Sequence, residues 1–164
     1  MQIINNLRLI KHSIKVAIFS YIMAKKMKVL EEQCQNIFWA GLLHDIGKVR
    51  LDQNILNKKE KLTAAEFEHI KQHVVLGVEL LRKYNIKETI CKIVEQHHEH
   101  DDGTGYPRGL KENEICIEAK ILRYADMYDA LTSNRSYRKK YTRQQAKAML
   151  REEDIFLNSV SLKN

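Results

Sequence analysis

The sequence predicts an all-α domain, a helical bundle without significant sheet, and three observations carry that prediction. Glycine and proline are sparse, with six glycines and one proline in 164 residues. Gly103, Gly105, Gly109 and Pro107 crowd into one short stretch, so a single irregular loop interrupts an otherwise helical text. Apolar residues recur at spacings of three and four, from His12 through Val16, Phe19 and Met23 and again from Ile90 through Ile93, Val94 and His97. No segment alternates as a half-buried strand would.

In chain order the pattern predicts helices over about residues 2–27, 31–45, 63–83, 86–98, 115–131 and 142–153. Two starts carry capping boxes, Thr63 with Glu66 and Thr142 with Gln145, in which a hydroxyl and a later side chain each satisfy a free amide. The segment Ile37–Leu43 is apolar nearly all round and reads as a central buried helix.

Composition narrows the function classes. Apolar residues make up 44% and charged residues 30%, an ordinary globular balance. The uncharged stretch Val16–Ala24 is too short for a membrane helix, which needs roughly 20 residues. It also lacks a small-x-small cleavage pattern, which argues against a secretory signal. Cys34, Cys91 and Cys116 are odd in number and form no CxxC, so the expected setting is a reducing cytoplasm with neither a disulfide framework nor a zinc ribbon. The net charge of +7 favours phosphate-bearing ligands in general. Its Lys and Arg residues are scattered rather than gathered into a recognition stripe, so neither nucleic acid nor membrane is an expected partner.

The chemistry lies in the histidines, all seven of which fall between residues 12 and 100. His12 is in register with Val16, His97 with Ile93 and His98 with Val94, so imidazoles fall on apolar faces, where polar groups are costly without partners. One such histidine is usually a core imidazole bonded to a carbonyl. Repetition over several helices points instead to a shared ligand. His44 and Asp45 end the apolar helix, and neighbours about 100° apart on a helix are placed to straddle a cation rather than to touch. Asp126 sits among Ile121, Leu122, Ala125 and Ala130 and demands a counter-charge. His69 and His73 share a helix face at i,i+4 spacing, and His97-His98-Glu99 leads directly into the glycine-rich loop. A metal ion is the economical counter-charge for these groups.

The ordered series His44-Asp45-Ile-Gly-Lys48, His73, His97-His98-Glu99, Asp102-Gly-Thr-Gly-Tyr-Pro107 and Arg-Tyr-Ala-Asp126-Met-Tyr-Asp-Ala-Leu-Thr-Ser resembles an HD-GYP domain over about residues 12 to 150. That family is a branch of the HD metal-dependent phosphohydrolases, bacterial second-messenger enzymes associated with hydrolysis of cyclic di-GMP. The resemblance implies a binuclear site. One divalent metal is expected on His12, His44, Asp45 and Asp126, and a second on Asp45, His73, His97 and His98, with Asp45 bridging. Iron or manganese is the expected metal, and zinc, cobalt and nickel suit the same donors. A glutamate that supports a third metal in some members is Arg8 here, so two are expected.

Asp45 and Lys48 are the expected catalytic residues, Lys48 stabilising a phosphate oxygen. Gly105, Tyr106, Pro107, Arg135 and Arg138 are the expected substrate contacts. Read from the residues alone, Lys48 is a helix-end cation, residues 133–140 are a solvated charge run, and the loop is a rigid turn. Glu99 and Asp102 are expected to organise the loop, and His69 and His100 to be ordinary surface histidines.

The resemblance implies a cytoplasmic phosphodiesterase that cleaves cyclic di-GMP to pGpG or GMP by metal-activated hydroxide attack on phosphorus. Cyclic GMP-AMP is the alternative substrate, and a silent nucleotide- or partner-binding module the alternative role. Residues 1–154 are expected to form one catalytic domain, with 155–164 a diverged or truncated tail that has neither Gly nor Pro. Many relatives carry a sensory domain ahead of the catalytic one, so the chain is expected to be either a stand-alone enzyme or part of a larger protein, with a diguanylate cyclase or regulatory protein, or a second copy through an apolar stripe on the first helix, as the expected partner.

Overall fold

A computed structural model describes residues 2–133 and 140–152 of the chain. Among them are helices α1 (Gln2–Lys26), α2 (Glu31–Leu43), α3 (Gln53–Leu56), α4 (Ala64–Lys71), α5 (His73–Lys83), α6 (Glu88–Gln96), α7 (Ile117–Thr132) and α8 (Arg143–Glu152). Short 3-10 segments cover Ile46–Arg50 and Glu112–Glu114. The described residues contain no strand beyond an isolated bridge between Asp102 and Lys111, so the all-α expectation holds. Arg135, Arg138 and the tail 155–164 lie outside the described residues.

Helix α1 runs along both α2 and α7, α6 packs on α2, α5 and α7, and α5 also packs on the first 3-10 segment. Val16, Ile37, Val94, Ile121 and Leu122 are buried at the centre of this bundle, each contributing roughly 1.5–3 kcal/mol of transfer free energy. Two close approaches set the geometry. A Cβ at Gly41 would lie 2.6 Å from Ala17 Cα, so α1 and α2 meet backbone to backbone. A Cβ at Gly47 would collide with the His73 carbonyl and Gly77 N, so the 3-10 segment lies directly on α5. These contacts draw His44, Asp45 and His73 together.

Both capping boxes form. Thr63 Oγ1 accepts from Glu66 N at 3.2 Å while Thr63 N donates to Glu66 Oε2 at 2.8 Å, and Thr142 and Gln145 repeat the exchange. The α1 stripe is present, with Leu7, Ile10, Ile14, Ile18 and Ile22 exposed. No described helix is long and apolar enough to cross a membrane.

Three sequence expectations need correction. The helix expected over 63–83 breaks at Gln72, which separates α4 from α5. Helix α2 stops at Leu43 rather than 45: His44 keeps helical dihedrals, but Asp45 has φ −99° and ψ 6° and opens the 3-10 segment. The same helix is not buried all round. Ile37, Ala40 and Gly41 face the core, while Trp39 is exposed because α1, α6 and α7 cover only part of the helix.

Gly47→Ala is expected to destabilise the fold by roughly 1–3 kcal/mol, since the new methyl must displace backbone rather than a side-chain end. A thermal melt should show a clear fall in Tm, and an unchanged Tm would contradict the close approach.

Candidate metal centre

The site grows out of helix ends. The last carbonyls of an α-helix lack an intrahelical partner, and three imidazoles take them up in the same way. His44 Nδ1 donates to Gly41 O at 2.8 Å at the end of α2. His73 Nδ1 donates to Ile70 O at 2.8 Å across the break between α4 and α5. His97 Nδ1 donates to Val94 O at 2.6 Å at the end of α6. A carbonyl can only accept, so each ring carries a proton on Nδ1, and in its neutral form presents the Nε2 lone pair.

Those three Nε2 atoms are buried and have no hydrogen-bond partner. Buried acceptors of this kind are costly unless something electropositive meets them. Two groups of donors result. Ligand atoms of His12, His44 and Asp126 lie within 4.8 Å of one another, and so do those of His73, His97 and His98. Asp45 stands between the groups. Its Oδ2 is 3.4 Å from His44 Nε2 and 3.8 Å from His12 Nε2, while its Oδ1 is 3.5 Å from His73 Nε2. His44 and Asp45 therefore do approach each other, contrary to the helical-wheel expectation, because Asp45 has left helical dihedrals. Nitrogen and carboxylate donors in this arrangement fit divalent transition metals.

Helix α1 brings in His12 and α7 brings in Asp126, with His12 Nε2 at 3.1 Å from Asp126 Oδ1. His12 has a different support from the other three. Its Nδ1 donates to Asp129 Oδ2 at 2.7 Å, and Asp129 is buried and held by Ser133 Oγ at 2.9 Å and Lys15 Nζ at 3.4 Å. Asp129 is a candidate site residue that the sequence reading missed. The signal was its position one turn beyond Asp126, where both carboxylates share a face of α7. A carboxylate behind a ligating histidine fixes its tautomer and raises its basicity.

The electrostatics follow from this crowding. Burial opposes ionisation of Asp45, but His44 and Lys48 hold its carboxyl well below the usual range. Burial likewise pushes the Asp126 carboxyl up, and His12 and His44 reverse this to about 2. Burial lowers His12, and its bonds to Asp126 and Asp129 carry it up to about 9. In the second group burial dominates. His97 falls well below its ordinary value with further help from His98 and His44. His98 falls to about 3 despite the pull of Asp126 and Asp45. The second group is thus a set of neutral imidazoles, the form that binds metals.

Lys48 Nζ lies 2.6 Å from Asp45 Oδ2. The glycine-rich loop is anchored by Glu99, whose carboxylate accepts from Arg108 N at 2.7 Å and Leu110 N at 2.9 Å. Asp102 Oδ1 accepts from Thr104 N at 2.9 Å, an Asx-type turn. Both residues organise the loop, as expected. A Cβ at Gly105 would collide with the backbone of Glu99 and His100, so only glycine lets the loop lie this close to the histidine pair. Tyr106 then stacks on His98 with centroids 4.7 Å apart and meets His73 edge-on at 6.4 Å. Burial, with Asp45 and Asp126 nearby, pushes its phenol up, so the hydroxyl keeps its proton. Pro107 follows through a cis peptide bond. His69 lies apart and accepts from Asp52 N at 3.1 Å, and His100 is exposed beside Thr104.

Residues 1–155 match the HD domain family. The chain belongs to that family, whose membership implies divalent-metal binding, and its motif series is of the HD-GYP type. It is 42% identical over 130 residues to a cyclic di-GMP phosphodiesterase of Thermotoga maritima, covering 78% of this chain and 35% of that protein. It is 35% identical over 141 residues to the 3′3′-cGAMP-specific phosphodiesterase 3 of Vibrio cholerae, covering 86% of this chain and 31% of that protein. This chain thus spans about a third of the length of these curated relatives. The HDG"Y"P protein Bd1817 of Bdellovibrio bacteriovorus has the same fold, with a TM-score of 0.72 at 23% identity over 90% of this chain and 47% of that one.

Asp129→Asn keeps the size of the side chain but removes the charge behind His12. Metal affinity, measured by chelator competition, should fall about 10–100-fold, and an unchanged affinity would remove Asp129 from the site.

Proposed function

We propose that this domain is a cytoplasmic phosphodiesterase that hydrolyses a cyclic dinucleotide, cyclic di-GMP foremost, to pGpG, GMP or both. The observation that carries the reading is Asp45, a buried carboxylate with one oxygen turned toward each of two donor groups. That arrangement suits a binuclear centre, with one ion on His12, His44, Asp45 and Asp126 and the other on Asp45, His73, His97 and His98. Iron or manganese there would supply a charge sink for phosphate oxygens and a nucleophile at neutral pH.

The remaining steps belong to the chain's own residues. Asp45 keeps its charge under burial and holds the two donor groups in register. Lys48 places an ammonium beside Asp45, where it stabilises negative charge on a nonbridging phosphate oxygen during in-line attack. Tyr106 packs against His98 and offers a protonated hydroxyl on the loop side. Gly105 and Glu99 hold that loop close against the histidine pair, where it would border the scissile phosphate. The bond that breaks is from phosphorus to a ribose 3′ oxygen, which leaves a 5′ phosphate. Similarity to named cyclic di-GMP and 3′3′-cGAMP phosphodiesterases supports the substrate class.

The test is product analysis with anaerobically purified protein loaded with Fe(II) or Mn(II), given cyclic di-GMP and 3′3′-cGAMP in parallel. Linear or mononucleotide product, lost on adding a chelator, is the expected result. Asp45→Ala should abolish turnover and lower bound metal. Full activity and full metal content in that variant would contradict the site.

A further inference from the structure

A cyclic dinucleotide carries two phosphodiesters on opposite sides of one macrocycle, and a metal centre that engages one leaves the second charge to be matched elsewhere. Arg135 and Arg138 lie outside the described residues; among the described ones, Lys48 beside Asp45 is assigned to the reacting phosphate, and Lys15 is paired with Asp129 and Ser133. Lys71 stands differently. Its ammonium lies 5.4 Å from the ring centroid of Tyr106 and 5.1 Å from that of Phe67. Tyr106 in turn stacks on His98 and meets the edge of His73. A cation is thus held one aromatic ring away from the second donor group, at the rim rather than inside it.

Two side chains from one stretch of chain meet the same ring. Residues two apart on a continuous helix point about 200° away from each other, yet Lys71 and His73 both reach Tyr106. Gln72 between them keeps right-handed dihedrals (φ −61°, ψ −17°) but bonds its N to His69 O, three residues back, a local tightening of the helix between α4 and α5. Lys71 is partly exposed, and its ion pair is with Glu68 Oε1 at 2.7 Å, on a carboxylate that is 66% exposed. Exposed pairs of this kind contribute little and exchange readily for a better anion. Phe67, 47% exposed beside the same ammonium, leaves an apolar surface on which the ribose or base next to that phosphate can lie.

We propose that Lys71 is a substrate-binding residue, its ammonium taking the phosphate of the cyclic dinucleotide that the metal centre does not engage. Glu68 holds the ammonium until substrate arrives. The inference rests on the cyclic dinucleotide reading above. It makes Lys71 a determinant of specificity for substrates with a second phosphodiester.

The experiment compares Mn(II)-loaded wild type, Lys71→Gln, Lys71→Arg and Glu68→Gln on cyclic di-GMP and on bis(p-nitrophenyl) phosphate, which has a single phosphodiester. Bound metal per chain is measured in each. Lys71→Gln is expected to raise KM for cyclic di-GMP about tenfold, the loss of one ionic contact, and to lower the ratio of kcat/KM on cyclic di-GMP to that on the small ester by a similar factor. Lys71→Arg should restore most of the ratio. Glu68→Gln should move KM the other way, by about twofold. An equal loss on both substrates, or a fall in bound metal in Lys71→Gln, would show a packing role through Tyr106 and overturn the proposal. An unchanged ratio would overturn it as well. Wild type that cleaves the small ester but neither binds nor cleaves a cyclic dinucleotide would overturn the functional reading itself, and the subsite with it.

Discussion

The structure depends on a buried carboxylate, Asp45, that stays ionised. A lone carboxylate in such a place would be protonated or would unfold its surroundings. Here it sits between His44, His73 and Lys48, and the bundle is arranged so that these groups arrive together. Gly41 lets α1 lie on α2 and carry His12 in. Gly47 lets the segment after Asp45 lie on α5 and bring His73 within reach. The same contacts that build the core deliver the donors, so stability and chemistry share their determinants.

Helix termination is the second economy. His44 and His97 close α2 and α6, and His73 closes α4 across the Gln72 break, each by donating Nδ1–H to a carbonyl three residues back. One hydrogen bond satisfies an orphan helix carbonyl, fixes the tautomer and aims Nε2 at the centre. His12 lies within α1, where no such carbonyl is free, and Asp129 takes that place from another helix. Neighbouring carboxylates raise His12 and His44 against the effect of burial, whereas burial leaves His97 and His98 below their ordinary values, so the two donor groups differ in charge.

What the sequence revealed was local. Capping boxes, the three-four spacing and the glycine-rich loop are encoded within a few residues, and they gave the helices and the irregular segment. The His44-Asp45 and His97-His98 pairs stood out because imidazoles fell on apolar faces. What it hid depended on contacts between distant segments. Asp129 meets His12 from 117 positions away, and its place one turn beyond Asp126 shows a shared helix face but not the histidine that the second carboxylate meets. The break at Gln72 has no glycine or proline to announce it. It lies beside the imidazole bond to Ile70 and the packing of Gly47 on α5. The exposure of Trp39 escaped because an apolar stretch tells how much surface could be buried, not which neighbours cover it.

In the proposed centre Asp45 joins two metal positions rather than ending one. The direct measurement is metal analysis of Mn(II)-reconstituted protein together with anomalous diffraction at the manganese edge. Two ions per chain, one on the His12 side of Asp45 and one on the His73 side, are predicted. A single ion per chain, or two ions with Asp45 contacting only one, would contradict the account.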